Sequence, residues 1–145
     1  MKRIVVGVDG SAGSQQALAF ALEEACLHGA TVVAVHAWQP PIVYGSGFSP
    51  VPVLPADGAY EEAAKTLLAD AVSTVLKGHP GQAVDQIVLE GAAGEVLLDM
   101  AADADLLVVG SRGHGTFVGM LLGSVSQHCV HKAQCPVVVV PSPEA

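Results

Sequence analysis

Glycines recur at 110, 113, 115 and 123 in a stretch that also carries Arg112, His114, Ser124 and Ser126. Glycine lets a backbone turn through positive φ and come close to a ligand, so that successive N–H groups form a concave anion receptor. Ser124 and Gln127 stand in the S-x-x-Q spacing of a capping box, which predicts a helix beginning at Ser124. Its first turn presents unpaired N–H groups and the positive end of the helix dipole, with the hydroxyls of Ser124 and Ser126 alongside. Gly123 has no Cβ to obstruct a phosphate. Two anion-binding features, Gly110 to Gly113 and Gly123-Ser124, are joined by a short connector able to fold them together.

The overall charge sets a condition on any such ligand. Six basic against fourteen acidic residues give a net charge of −8. That balance argues against a nucleic-acid surface, which needs a basic patch. It also makes a polyphosphate costly to bury without compensation. Arg112 can form a bidentate pair with phosphate oxygens, and a Mg²⁺ ion carried by such a ligand would neutralise more of the charge.

Rival chemistries fit less well. The G-x-x-x-x-G-K-[ST] pattern of P-loop NTPases is absent. Gly113-His114-Gly115 with Gly119 resembles a loose dinucleotide fingerprint, but one valine strand is all that follows it. His128 and His131 could share a helix face and reach a metal with His114 or Cys129. Their spacing is not that of a zinc site, and they are expected to be exposed helix histidines with no metal. No catalytic base, partnered nucleophile or carboxylate cluster stands out. His114 could orient a water, which leaves room for slow hydrolysis at most. Asp9, before Gly10-Ser11, reads either as turn chemistry or as a ligand at a strand end.

The elements that must position these residues follow from periodicity. Ile4 to Val8 is a buried strand ending at Asp9, and Ser11 or Ser14 caps a helix with an Ala17, Leu18, Ala21, Leu22, Ala25 stripe, stopped by Gly29. Thr31 to Ala37 is a second strand. The stretch 38–57, with prolines at 40, 41, 50, 52 and 55, is expected to be a structureless loop, a lid or binding loop. Its Trp38, Tyr44 and Phe48 are candidates to cover a bound ligand or to meet a partner. Asp57 is the expected cap of a helix running from Tyr60 to Leu76, ended by Gly78 and Pro80. Val84 to Leu89, interrupted by Asp85 and Gln86, reads as a strand nearer an edge. Glu95 to Ala102 is a short helix, Asp105 to Val109 a strand, Ser124 to Lys132 a helix and Val137 to Val140 the last strand. This alternation predicts one α/β domain over residues 1–145, with a parallel sheet, right-handed crossovers and helices on both faces.

Gly110-x2-Gly113-x9-Gly123-Ser124 resembles the nucleotide signature G-x2-G-x9-G-[ST] of the universal stress protein family. The opening Val5 to Ser11 and the closing Cys135-Pro136-Val137 to Pro141 are similar to the family's first and last strands. The resemblance implies an open five-stranded sheet of order 3-2-1-4-5, of the adenine nucleotide alpha hydrolase type, that binds ATP, ADP or AMP. It places Gly7, Val8 and Asp9 at the nucleoside end and the backbone of Ala37 on adenine. Val109, Gly110, Arg112 and Gly113 would line ribose and phosphates, and Gly123, Ser124, Val125 and Ser126 would take the outer phosphates.

The remaining expectations concern setting and partners. Half the residues are apolar, yet the first apolar run is too short for a secretory leader and no run suits a membrane span. Three cysteines without CxxC spacing suit a reduced, cytoplasmic setting, with Cys129 and Cys135 as small buried residues. In the implied order Val137–Val140 is an uncharged edge strand, expected to pair with its copy in a homodimer. The leading reading is a nucleotide-binding regulatory stress-response protein with an unknown protein partner. The alternative is a dimeric interaction module for which nucleotide is incidental.

Overall fold

A computed structural model describes residues 1–44, 50–52, 58–113 and 122–143. Strand β1 (Arg3–Gly7) leads into helix α1 (Ala12–His28) and strand β2 (Thr31–Trp38). Short strands β3 (Ile42–Tyr44) and β4 (Pro50–Pro52) precede helix α2 (Ala59–Leu76) and strand β5 (Val84–Glu90). Helix α3 (Ala93–Met100), strand β6 (Leu106–Gly110), helix α4 (Ser124–Lys132) and strand β7 (Val137–Val140) complete the chain.

The five main strands form one parallel sheet in the order β5-β2-β1-β6-β7. Counted along the chain, that is the expected 3-2-1-4-5. Alternation along β1 sends Ile4 and Val6 to one face and Val5 to the other. The first face packs Leu18 and Leu22 of α1 and Leu68 and Val72 of α2 against Val32, Leu106 and Val108. The second packs Val96 and Leu97 of α3 and Cys129 of α4 against Val33, Val35, Leu107 and Val109. The chain therefore leaves β1 towards one face and β6, its neighbour, towards the other. That reversal opens a crevice beyond their carboxyl ends, where α/β sheets bind ligands.

Local signals explain most element boundaries. Ser11 caps α1 by accepting from the Ser14 N–H, and Gly29 ends it in the left-handed region at φ 65°. β5 is an edge strand, and it exposes Asp85, Gln86 and Glu90 to solvent. The Asp105 carboxylate accepts from the Lys2 and Arg3 amides at 2.6 and 2.9 Å, which holds it below its ordinary acidity range and pins the start of β1 to the start of β6.

Three expectations need correction. The stretch 38–57 is not structureless: Ile42–Tyr44 pairs antiparallel with Pro50–Pro52, in the register Val43↔Val51. Both strands of a two-stranded ribbon are edges, so a proline's missing donor can face outward. Helix α2 has Gly58 at its cap position, in the left-handed region at φ 74° and without a side-chain bond, while Asp57 lies outside the described residues. Helix α3 starts at Ala93 rather than Glu95, because the chain turns sharply at Gly91, φ 150°, and the helix follows at once.

Candidate functional site

The two strand ends that frame the crevice are built differently. On the β1 side, the Val8 amide donates to Val35 O at 2.9 Å and carries the sheet one residue further. Asp9 Oδ1 accepts from the Ser11 amide at 2.9 Å and from the Ser11 hydroxyl. Ser14 Oγ in turn accepts from the Asp9 amide at 3.2 Å and donates to Ser11 O at 3.0 Å. Asp9 thus performs the turn chemistry through one oxygen, while the other faces Gly113. A Cβ on Gly113 would lie 2.5 Å from Asp9 Oδ2, so the bare glycine is what lets the carboxylate reach the loop.

On the β6 side, one carbonyl gathers the loop ends. Ser111 O accepts from the Gly123 amide at 2.6 Å and from Ser126 Oγ at 3.0 Å. The two halves of the glycine-rich stretch are thereby folded together, as their spacing suggested. The expected capping box does not form. Gly123, extended at φ −76° and ψ 172°, occupies the cap position, and no side chain caps α4. Its carbonyl accepts the first helical bond, from the Gln127 amide at 3.0 Å, which moves Ser124 one place into the helix. Gln127 Nε2 donates instead to Leu122 O at 3.4 Å. The Ser126 proton points inward, shared between Ser111 O and Gly123 O, so that hydroxyl is no donor to a ligand.

The expected positive-φ nest at Gly110 and Gly113 is also absent, since neither has a positive φ. Gly110 is bare for packing: a Cβ there would stand 3.0 Å from the backbone C and O of Gly13 in α1. Gly115 and His114 lie outside the described residues.

A single cleft, open to solvent, brings the candidate residues together. Gly7, Val8 and Asp9 come from the end of β1, and Ala37 from the end of β2. Val109, Gly110, Arg112 and Gly113 follow from β6, and Gly123, Ser124, Val125 and Ser126 from the start of α4. All twelve line its wall. Trp38 does not; its ring stands 6.4 Å from that of Tyr60 on α2. Phe48 and the Tyr44 side chain lie outside the described residues.

Six further residues line the same cleft without having been expected there: Ser11, Ser14, Val35, His36, Ala93 and Leu97. Leu97 forms part of the wall because Gly7 is bare, and a Cβ there would meet its Cδ1 at 2.7 Å. His36 Nδ1 stands 2.9 Å from Val8 O, an acceptor, so this nitrogen carries the proton. Ala93 brings in the start of a third helix, α3, which also has no side-chain cap. The small run Gly91-Ala92-Ala93-Gly94 after a strand was the available signal for it. Helix starts α1, α3 and α4 thus converge with Arg112 on one cleft. Their dipoles and amides supply positive potential locally, against the acidic background of the whole chain.

Away from the cleft, His128 packs on α3, where a Cβ on Gly94 would meet its ring at 2.6 Å. Cys129 is fully buried, Cys135 half-buried and Cys26 exposed. Burial, and to a lesser degree the neighbouring Cys135, pushes the Cys129 thiol up to about 11. Among the described residues no group of three or more His, Cys, Asp or Glu side chains is placed to hold a metal ion. Nor is any described helix long and apolar enough to cross a membrane.

The model of the universal stress protein family matches residues 1–141. A universal stress protein of Mycobacterium tuberculosis is 37% identical over 139 residues, covering 94% of this chain and 44% of the relative. One from Mycolicibacterium smegmatis is 37% identical over 137 residues, covering 94% of the chain and 45% of its own length. The chain therefore spans less than half the length of these curated relatives. Among solved structures, a universal stress protein in complex with cAMP superposes with a TM-score of 0.71 at 26% identity, covering 97% of each chain. The universal stress protein of Archaeoglobus fulgidus in complex with dAMP does so with a TM-score of 0.67 at 30% identity, covering 97% of this chain and 98% of its own. With sheet order, family match and relatives in agreement, the chain belongs to the universal stress protein family.

Proposed function

We propose that this protein binds an adenine nucleotide, ATP or its ADP and AMP forms, in the cleft between β1 and β6. The observation that carries this reading is the convergence of two uncapped helix starts and Arg112 at the switch point of the sheet. The first-turn amides of α4 have no competing cap, and Gly113 and Gly123 both line the cleft beside them. The relatives solved with cAMP and with dAMP support an adenine nucleotide over other phosphate esters.

In this reading Ala37 and the β1 end hold the nucleoside, Asp9 faces the ribose, and Arg112 with the α4 amides holds the phosphates. A nucleotide-borne Mg²⁺ would offset further phosphate charge. The protein acts in the cytoplasm as a regulatory stress-response factor whose liganded and empty forms differ in partner affinity, with slow hydrolysis at most. The edge strand β7, four half-buried valines without a charge, favours self-association across a two-fold axis. That same edge also supports the second reading, an interaction module for which nucleotide is incidental.

Mass spectrometry of ligands that co-purify with the protein separates the two readings. Calorimetry on the double variant Gly113→Ala, Gly123→Ala tests the site directly. Binding of MgATP is expected to be lost while the fold persists, and an affinity equal to that of the unaltered protein would overturn the phosphate assignment.

A further inference from the structure

Ser111 lies behind the cleft wall rather than in it, and every polar group it owns is engaged. Its amide donates to Val140 O at 2.8 Å, carrying the β6–β7 pairing past Gly110↔Val140. Its carbonyl accepts from the Gly123 amide at 2.6 Å and from Ser126 Oγ, so it holds the residue that precedes α4 and the third residue of that helix. Its hydroxyl accepts from the Ser142 amide at 3.1 Å. The chain beyond β7 reads Pro141-Ser142-Pro143, and prolines have no amide hydrogen. Ser142 therefore supplies the sole backbone donor of that tripeptide, and it is spent on Ser111.

We propose that Ser111 is a positioning residue that couples anion occupancy of the α4 start to the segment after edge strand β7. The inference rests on the nucleotide reading of the cleft. An anion bound by the amides of Ser124 to Ser126 fixes the first turn of α4. That turn is bonded to the Ser111 carbonyl, and the Ser111 hydroxyl holds the Ser142 amide. Ordering of the first turn thus restricts Ser111, and Ser111 restricts the end of the strand that carries the proposed self-association edge. The path is three hydrogen bonds long and passes through one residue.

Residue-resolved amide hydrogen exchange, with and without saturating MgATP, tests this. In the unaltered protein, nucleotide is expected to slow exchange at Ser124 to Ser126 and at Ser142 together. Ser111→Ala removes the hydroxyl alone, leaving the amide and carbonyl bonds in place. It is expected to raise Ser142 exchange about five- to tenfold, the worth of one hydrogen bond. It should also abolish the nucleotide effect at Ser142 while keeping that at Ser124 to Ser126. Ser111→Thr keeps the hydroxyl and is expected to restore the coupled response. Protection at the α4 start with none at Ser142, or a nucleotide effect at Ser142 that survives Ser111→Ala, would overturn the coupling and leave the nucleotide site standing. Protection at neither place would overturn the nucleotide reading and the coupling with it.

Discussion

Two strand ends meet at the cleft, and each runs through a turn into a helix, yet they spend their polar groups in opposite ways. The β1 side is closed on itself. Ser11 caps α1, Asp9 Oδ1 holds Ser11, and Ser14 returns a bond to the turn. The β6 side is folded by backbone, with the Ser111 carbonyl drawing in Gly123, and its helix start is left without a side-chain cap. A side-chain cap takes one of the free amides of a helix start, as Ser11 takes that of Ser14, whereas an uncapped start beside a cleft keeps them all for an anion. The β1 side is a hydrogen-bonded wall, and in the proposed nucleotide site the β6 side is the receptor.

The strongest way to break the contrast is to cap the receptor. Gly123 already has the extended backbone of a cap residue, so Gly123→Asp should close α4 as Ser11 closes α1. Nucleotide affinity is expected to fall by on the order of 100-fold, because a carboxylate takes the donors and repels the phosphates. Thermal stability should be held or raised by a few tenths of a kcal/mol, roughly the gain of Asp over Gly at a cap. Calorimetry and a melting curve on one sample check both halves.

Arg112→Gln is the next largest change. Losing a charge-assisted pair to phosphate should weaken MgATP binding about ten- to a hundredfold. The same substitution should flatten the salt dependence of the dissociation constant, with little change in melting temperature.

The wall is tested by Ser11→Ala. It removes the α1 cap and the hydroxyl partner of Asp9 together, and should cost about 1 kcal/mol of folding stability in a denaturant titration. If the two sides divide their work as described, that variant loses more stability than nucleotide affinity, the reverse of Gly123→Asp.

The α4 side is also sensitive to pH. Cys129 on α4 ionises at about 11 in the folded protein against an ordinary 9.0, because burial disfavours the thiolate. A raised folded value means stability is fully present below pH 9.0 and is lost as the pH rises towards 11. Folding stability from denaturant titrations should therefore fall over that window, and Cys129→Ala should remove this part of the fall.

Periodicity and spacing were enough to place the main elements. The Ala17–Ala25 stripe, the valine runs and the Gly29 stop are short-range statements, and the helix from Ser124 to Lys132 lies where its spacing put it. The paired prolines at 50 and 52 misled, because the rule against proline in sheets concerns central strands and this ribbon has none. The start of α3 was obscured because Ala92, Ala93 and Gly94 carry no apolar period of their own. Resemblance to a family supplied the strand order, which the residues alone left open.

What the chain determined unaided was the chemistry on offer: bare glycines at fixed separations, one arginine among them, and hydroxyls where a helix begins. Tertiary structure decided how each was used. Gly110 is bare for the sake of Gly13 and α1, Gly113 for Asp9, and Ser126 turns its proton inward to Ser111. The two glycine assignments depend on which atoms stand opposite across the β1–β6 crevice, about a hundred residues apart in the chain. Local spacing carries no record of that distance, and the sheet order creates it.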